Sequence, residues 1–368
     1  MKGSDMRNKG NISLTNAVDL GRSGLRLALK KGVCEIKNYT HFKGGLRRRR
    51  KRGASEQCRE ALPLSVVICT YERKEQALEA IRSAANQSLN SSEYEIVVVN
   101  NGKADPGFEE ELLVAYSGVE IRVIDEPEIG LSRARNTGAE NARGEYLLYI
   151  DDDAVCDFNC LAYMLEAFRK HPDAAIIGGV IELKPPEPRP DIVLKGRESV
   201  WSAYTVNYKK YRTVSKQYEF PYGANFGVRR SALLELGGFD LSYGRRGGDY
   251  AGGEETALCF KAIGAGWRVG IEPNSVVIHN VSLDRYTEEH VKNTLRAGIL
   301  TMYKLYADGY SSSKITAEYA AERAEIAESE ILRLKKRARG DDGLYYEIFY
   351  KECERDAYRE LCEKIKSG

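Results

Sequence analysis

The feature that most constrains this chain is a short apolar run ending in three consecutive carboxylates. Tyr146-Leu147-Leu148-Tyr149-Ile150 leads directly into Asp151, Asp152 and Asp153. Five apolar residues bounded by turn signals have the length and composition of a strand buried on both faces, as in a parallel sheet covered by helices. Just upstream, Leu131 to Arg143 has helical composition with many small residues, and Gly144 stands where a helix C-cap would be. Side chains of an extended chain alternate faces, so Asp151 and Asp153 are expected to point one way and Asp152 the other. Two carboxylates aimed together offer hard oxygen ligands to a divalent cation. The C-terminal ends of strands in an open α/β sheet are also where ligands bind. An acidic turn is the plain alternative for an Asp pair, but three in succession after so apolar a run favour a functional role.

The flanking chain repeats the strand–helix pattern. Leu64 to Cys69, Tyr94 to Val99 and Glu120 to Ile124 read as strands, separated by helical stretches at Glu75 to Asn86 and Pro106 to Tyr116. Strands alternating with helices specify an α/β fold with a doubly wound, mostly parallel sheet. Further strands are expected at Asp173 to Ile181, Phe226 to Arg229 and Val276 to His279, the last placing His279 near the end of the sheet. A short helix is expected at Ser231 to Leu236. Between Tyr243 and Gly253 lie five glycines, the composition of a flexible loop, and Glu254-Glu255 then open a helix running to Ile263. Acidic residues in a first turn also suit the helix dipole, so a structural role for this pair stays open. Trp201, Tyr204, Tyr208 and Tyr211 form either a sugar-stacking surface or a satellite core. Three C-terminal helices follow: one capped by Thr287 with the stripe Val291, Leu295, Ile299, Met302 and Tyr306, then Ser313 to Arg339 and Leu344 to Ile365. The expected divisions are a basic N-terminal extension over 1–62, an α/β domain over 63–282 and a helical region over 283–368.

Charge and motif content narrow the function classes. The formal net charge of the 368 residues is +2. Residues 1–62 nevertheless carry sixteen Lys/Arg against five Asp/Glu, a local +11. Arg47 to Arg52 form an unbroken basic hexad, which serves either as a solvated linker or as a contact for an anionic membrane surface; no nucleic-acid partner is expected. No run of about 18 apolar residues is present, so no membrane span is expected. No secretory signal core is present either. The eight cysteines are scattered without a C-x-x-C pair. These observations point to a cytoplasmic protein, with peripheral attachment at the cytoplasmic membrane face as the further possibility. The first strand is not followed by G-x-G-x-x-G, and no P-loop motif occurs, which removes the main support for a dinucleotide dehydrogenase or a P-loop phosphotransferase. Thr70-Tyr71-Glu72-Arg73 follows instead. Its aromatic ring with hydroxyl and carboxyl neighbours suits stacking on a base and reading its edge, or is ordinary loop polarity.

With these residues in view, Pro63 to about Ser282 resembles the family 2 glycosyltransferases of GT-A fold. The ordered marks are SVVICTYER, VVVNNG, GLSRARNTGA, YIDDD, PYGANFGVRRSALLELGGFD, GGEETALCFKAIGAGW and the closing Val277-Ile278-His279. The resemblance implies a metal-dependent, inverting, non-processive glycosyltransferase of hexosyltransferase type. Its donor would be a nucleotide-diphosphate sugar, a UDP-sugar by preference, and its acceptor a glycan, a lipid-linked molecule or a small molecule. Thr70, Tyr71 and Glu72 would contact the base, and Asn100 stands where the family usually has an accepting Asp. Arg135 would lie near the nucleotide and Asp151, with Asp152, near the ribose. Gly223 and Asn225, in the turn from Pro221, would wall the donor sugar. Asp153, with Asp151 and His279, would hold Mn2+ or Mg2+. Glu255 takes the place of the catalytic base, with Glu254 as the other candidate. The alternatives are a nucleotidyltransferase, which would want a glycine-rich basic loop after the first strand, and a non-catalytic nucleotide-sugar or polyanion binder.

Overall fold

Strand β1 (Leu62–Thr70) lies inside the sheet with parallel partners on both sides, β2 (Tyr94–Asn100) and β4 (Gly144–Asp151). Its sequence explains the position. Val66 and Ile68 face one apolar cluster with Ile96, Val98, Leu148 and Ile150, whereas Val67 faces a second with Val97, Val99, Leu147 and Tyr149. A strand apolar on both faces needs a helical layer on each side. One layer is α1 (Lys74–Ala85), through Ala77, Ala80, Ile81 and Ala84, together with α4 (Cys160–Lys170). The other includes α3 (Leu131–Asn141) and α6 (Glu254–Gly264).

The structure is a computed structural model describing residues 61–103, 106–116, 118–338 and 342–367. The basic hexad Arg47 to Arg52 lies outside the described residues. The remaining elements are α2 (Pro106–Ala115), β3 (Glu120–Asp125), β5 (Ala154–Cys156), β6 (Ala174–Leu183), β7 (Arg212–Val214), β8 (Asn225–Arg229), α5 (Arg230–Glu235), β9 (Arg268–His279), α7 (Glu288–Ala307), α8 (Ala317–Ala338) and α9 (Tyr345–Ser367). The sheet order is β3-β2-β1-β4-β8-β6-β9-β5, with β7 also paired to β9. From β3 to β4 all pairs are parallel, as expected; β8 then enters antiparallel between β4 and β6, and β6 and β9 pair parallel.

Two local expectations are corrected. Gly144 does not cap α3, which ends at Asn141 with Ala142 in an extended conformation. Gly144 begins β4, where a Cβ would stand 2.4 Å from the Ser65 backbone nitrogen, so the close approach of two strands requires glycine there. Asp151 and Asp153 do come together with Asp152 turned elsewhere, as expected, but not by alternation along a strand, because β4 ends at Asp151. Asp152 and Asp153 form a turn into β5, whose Ala154 pairs with His279. Asp153 therefore meets His279 through strand pairing, not through alternation along β4.

Helix α3 packs closely on the sheet because of its small residues: a Cβ on Gly138 would lie 2.4 Å from Val67 Cγ1. The C-terminal helices are anchored through a separate apolar cluster. Val291 of α7 and Tyr350 of α9 share a cluster with Ile192, Val193 and Trp201. The Trp201 side chain thus joins a satellite core, where its Nε1 donates to the Arg285 carbonyl at 2.9 Å. Among the described residues, no helix is long and apolar enough to cross a membrane.

Candidate functional site

At the C-terminal edge of β1 and β4 opens a cavity of about 410 Å³. Its lining includes Thr70, Tyr71, Asp151, Asp152 and Asp153 on one side and Gly223, Glu254, Glu255 and Arg285 on the other.

Asp151, Asp153 and His279 can each offer one ligand atom, and these three atoms lie within 4.8 Å of one another. His279 Nδ1 stands 2.8 Å from the Trp201 carbonyl oxygen. That oxygen can only accept, so Nδ1 carries a proton. Asp153 Oδ1, 2.8 Å from Nε2, also only accepts, so without a cation the ring donates from both nitrogens and its pKa is raised, whereas a cation would take the place of the Nε2 proton. This is the arrangement by which a second partner orients a metal-binding imidazole. Two carboxylate oxygens and an imidazole nitrogen make a donor set that fits a divalent cation. Burial by itself would raise the Asp153 carboxyl. The hydrogen bond and charge of His279, together with Arg73 and Arg285, outweigh it and hold Asp153 well below the usual carboxylate range.

Asp152 is directed differently. It accepts from Thr70 Oγ1 at 2.9 Å and from Arg73 Nη1 at 3.0 Å. Burial raises its carboxyl to about 7 despite the nearby Arg73. The second arm of Arg73, Nη2, reaches Asp153 Oδ2 at 2.9 Å, and Arg285 Nη1 lies 3.6 Å from the same oxygen. Neither arginine was picked out from the sequence. Arg73 stood at the end of the Thr70-Tyr71-Glu72 run, whereas Arg285 had no signal, because only the chain path after β9 brings it to the aspartates.

Arg135 reaches this site from α3, with most of its side chain buried. Its Nη1 donates to Glu254 Oε1 at 2.8 Å and to Glu255 Oε1 at 2.7 Å, while Nη2 lies 3.4 Å from Asp151 Oδ1. Tyr149 OH donates to the Arg135 carbonyl at 3.1 Å, fixing the helix above β4. Arg135 thus ties the acidic start of α6 to the Asp-tipped end of β4. Glu254 is 2 % exposed, and its Oε2 is buried with no hydrogen-bond partner. Burial and the adjacent Glu255 charge raise its carboxyl to about 7 even with Arg135 present. Glu255 lines the cavity, and its Oε2 has no hydrogen-bond partner among the described residues. Gly223 lies between these groups. A Cβ there would stand 2.1 Å from both Arg135 Nη2 and Glu255 Oε1.

Other residues singled out in the sequence are placed less centrally. Asn225 is 0 % exposed and donates through Nδ2 to the Val180 carbonyl at 3.1 Å and the Ser275 carbonyl at 3.0 Å, so it ties strands together and faces away from the cavity. Glu72 is exposed with φ of 54°, and Asn100 lies beyond the cavity lining at the end of β2.

The comparisons with known proteins agree with this geometry. Residues 65–237 match the glycosyl transferase family 2 model. A glucosyl-dolichyl phosphate glucuronosyltransferase of Haloferax volcanii is 27% identical over 206 residues, 54% of this chain and 63% of that protein. The chain therefore spans less than two thirds of that relative. The succinoglycan biosynthesis protein ExoM of Rhizobium meliloti is 28% identical over 231 residues, 61% of this chain and 69% of that protein. Among solved structures, the mannosyltransferase PcManGT from Pyrobaculum calidifontis, in complex with GDP-Man and Mn2+, aligns with a TM-score of 0.55 and 16% identity, covering 83% of this chain and 88% of that one. That likeness shows the shared GT-A fold. The matched segment carries most of β1, the Asp-tipped β4, Arg135 and Gly223, and on these grounds residues 65–237 form a glycosyl transferase family 2 domain.

Proposed function

We propose that this protein is a metal-dependent, inverting glycosyltransferase that moves a sugar from a nucleoside-diphosphate sugar to an acceptor hydroxyl without processive repetition. One observation carries the reading. A cation-type cluster, Asp151, Asp153 and His279, and a cavity-facing carboxylate, Glu255, border the same cavity at the sheet's C-terminal edge. The mixed oxygen and nitrogen donors favour Mn2+ over Mg2+, which prefers all-oxygen sites. Such a cation, when bound there, supplies the counter-charge that a departing diphosphate needs.

The chain's own residues account for the remaining requirements. Transfer breaks the bond between the anomeric carbon and the diphosphate oxygen and forms one to the acceptor oxygen, whose proton needs a base aligned for in-line attack. Glu255 takes that proton at Oε2, while Arg135 holds Oε1 and sets the carboxylate's angle. Glu254, buried and raised to about 7, is held behind it as part of the scaffold. Gly223 leaves room for the donor sugar beside this pair. The loop from Gly244 to Gly253, rich in glycine, supports closure over the donor and exclusion of water. A lipid-linked acceptor accords with the name of the Haloferax relative, and the basic hexad Arg47 to Arg52 would then favour an anionic, cytoplasmic membrane face.

The test is a thermal-shift panel of nucleotide sugars, run with manganese and with a chelator. A cognate donor at a hundred times its dissociation constant should stabilise the protein by about 2.7 kcal/mol, and only with metal present. No stabilisation by any donor under either condition would overturn the reading.

A further inference from the structure

Arg73 stands between β1 and α1, where its carbonyl accepts from the Ala77 N–H at 3.0 Å and so opens the helix. Its guanidinium forks. Nη1 donates to Asp152 Oδ1 at 3.0 Å and Nη2 to Asp153 Oδ2 at 2.9 Å. A planar, two-armed cation is suited to holding one oxygen of each of two neighbouring carboxylates, which the single ammonium of a lysine is not.

Each carboxylate is divided by this contact. Asp152 gives its other oxygen, Oδ2, to Thr70 Oγ1 at 2.9 Å, so both of its oxygens are already engaged away from the cluster. Asp153 keeps only Oδ1 for the cluster, the oxygen that faces His279 Nε2 at 2.8 Å. Its Oδ2 is held by Arg73 and lies 3.6 Å from Arg285 Nη1. The Asp153 side chain is 3 % exposed, so water is not there to replace Arg73. Its backbone is pinned as well, because the Asn280 N–H donates to the Asp153 carbonyl at 2.8 Å. The rotation of this carboxylate is therefore set by Arg73 on one oxygen and His279 on the other.

We propose that Arg73 is a specificity-determining positioning residue for the cation: by holding one oxygen of Asp152 and one of Asp153, it confines the cluster to single-oxygen ligation and so selects a small ion over Ca2+. This rests on the metal-dependent reading above. Ca2+ takes about six to eight oxygen ligands, often with both oxygens of a carboxylate. Two single carboxylate oxygens and one imidazole nitrogen suit it poorly. Mn2+ accepts the nitrogen and needs no more than one oxygen from each aspartate. With Arg73 removed, Asp153 is free to turn both oxygens inward and Asp152 to swing in as a further ligand. Both changes favour the larger ion.

Calorimetric titration of the full chain with Mn2+ and, separately, with Ca2+ tests the proposal, with no nucleotide sugar present. The wild type should bind Mn2+ more tightly than Ca2+. Arg73→Met should lower the ratio of the two affinities about tenfold, within the range usual when the partner of a metal ligand is removed. Arg73→Lys keeps the charge without the fork and should lower the ratio similarly, which separates geometry from charge. An Arg73 that only competes with the ion, or only supports the fold, would change both affinities by one factor or lower the melting temperature, and the ratio would stay. An unchanged ratio in either folded variant therefore overturns the inference, as does equal binding of the two ions by the wild type, and the metal-dependent reading stands in both cases. Binding of neither ion by the wild type overturns both.

Discussion

Arg135 Nη1 lies 2.7 Å from Glu255 Oε1 and 2.8 Å from Glu254 Oε1, so one nitrogen of one guanidinium joins both carboxylates. The residues are 120 and 119 positions apart in the chain. The guanidinium also packs 5.5 Å from the Phe239 ring centroid, which limits its movement. Removing it would leave two acidic groups close together without a counter-charge. Arg135→Met should destabilise the fold by about 3–5 kcal/mol, the usual cost of breaking a buried ion pair from one side. Denaturant midpoints check this, and a loss below about 1 kcal/mol would show that Glu254 simply takes up a proton and relieves the site.

The two glutamates should separate under isosteric substitution. Glu255→Gln keeps a hydrogen-bonding side chain at the cavity but removes the base, so turnover should fall by roughly 10²–10⁴-fold with donor affinity retained. Glu254→Gln should retain most activity, because that carboxyl is almost wholly buried beside Glu255 and is already raised to about 7. Steady-state kinetics on both variants decide it. A collapse confined to Glu254→Gln would move the role one residue back.

Gly223→Ala tests the space between Arg135 and Glu255. The added methyl would stand 2.1 Å from both side chains, so one of them must shift. Overpacking of this kind costs about 1–3 kcal/mol. The expected signature is a modest fall in melting temperature with a much larger fall in kcat. Full turnover in Gly223→Ala would show that the Arg135–Glu255 geometry is not needed for the reaction.

Manganese binding can be read without any activity. Calorimetry or manganese paramagnetic resonance on the wild type should show one bound ion, lost in Asp153→Ala and weakened about 10–100-fold when the Nδ1–H contact to Trp201 is disturbed. Unchanged manganese affinity in Asp153→Ala would remove the cluster from the candidate metal sites.

His290 gives a pH signature away from the cluster. Its ring stacks on Trp201, meets the Tyr250 ring at a tilt of 58°, lies near Thr294, and is faced by Arg285, Arg245 and Asp284. Burial first, then Arg285 and Arg245, depress it to about 4 from 6.5. Between those values the unfolded chain binds a proton that the folded chain refuses. Stability from this group is therefore fully present above about pH 6.5 and is lost as pH falls toward 4. One proton gives a slope of up to about 1.4 kcal/mol per pH unit. His290→Gln should flatten the wild-type slope in that window; identical slopes would mean that His290 does not contribute.

Much of the architecture was written in local pattern. Apolar runs such as Leu64 to Cys69 and Tyr146 to Ile150 are strands because nearly every side chain in them gains by leaving water. The alternating helices follow from stripes such as Ala77, Ile81 and Ala84. Helix α4 was legible but not read: Cys160, Leu161, Met164, Leu165 and Phe168 recur at helical spacing and are all buried. The Asp triplet and the Glu254-Glu255 pair were visible as candidate chemistry because several carboxylates in succession are costly to place without a purpose. The sequence by itself thus determined the parallel half of the sheet and the residue types of the site, since both depend on near neighbours in the chain. The tertiary structure alone decided the antiparallel insertion of β8, the meeting of Asp153 with His279 through β5 and β9, the Arg135 bridge to α6 and the hydrogen bond from Asn100 to Asp125. Each of these joins residues dozens to more than a hundred positions apart, and such pairings are set by how the layers pack, a quantity that no local periodicity carries.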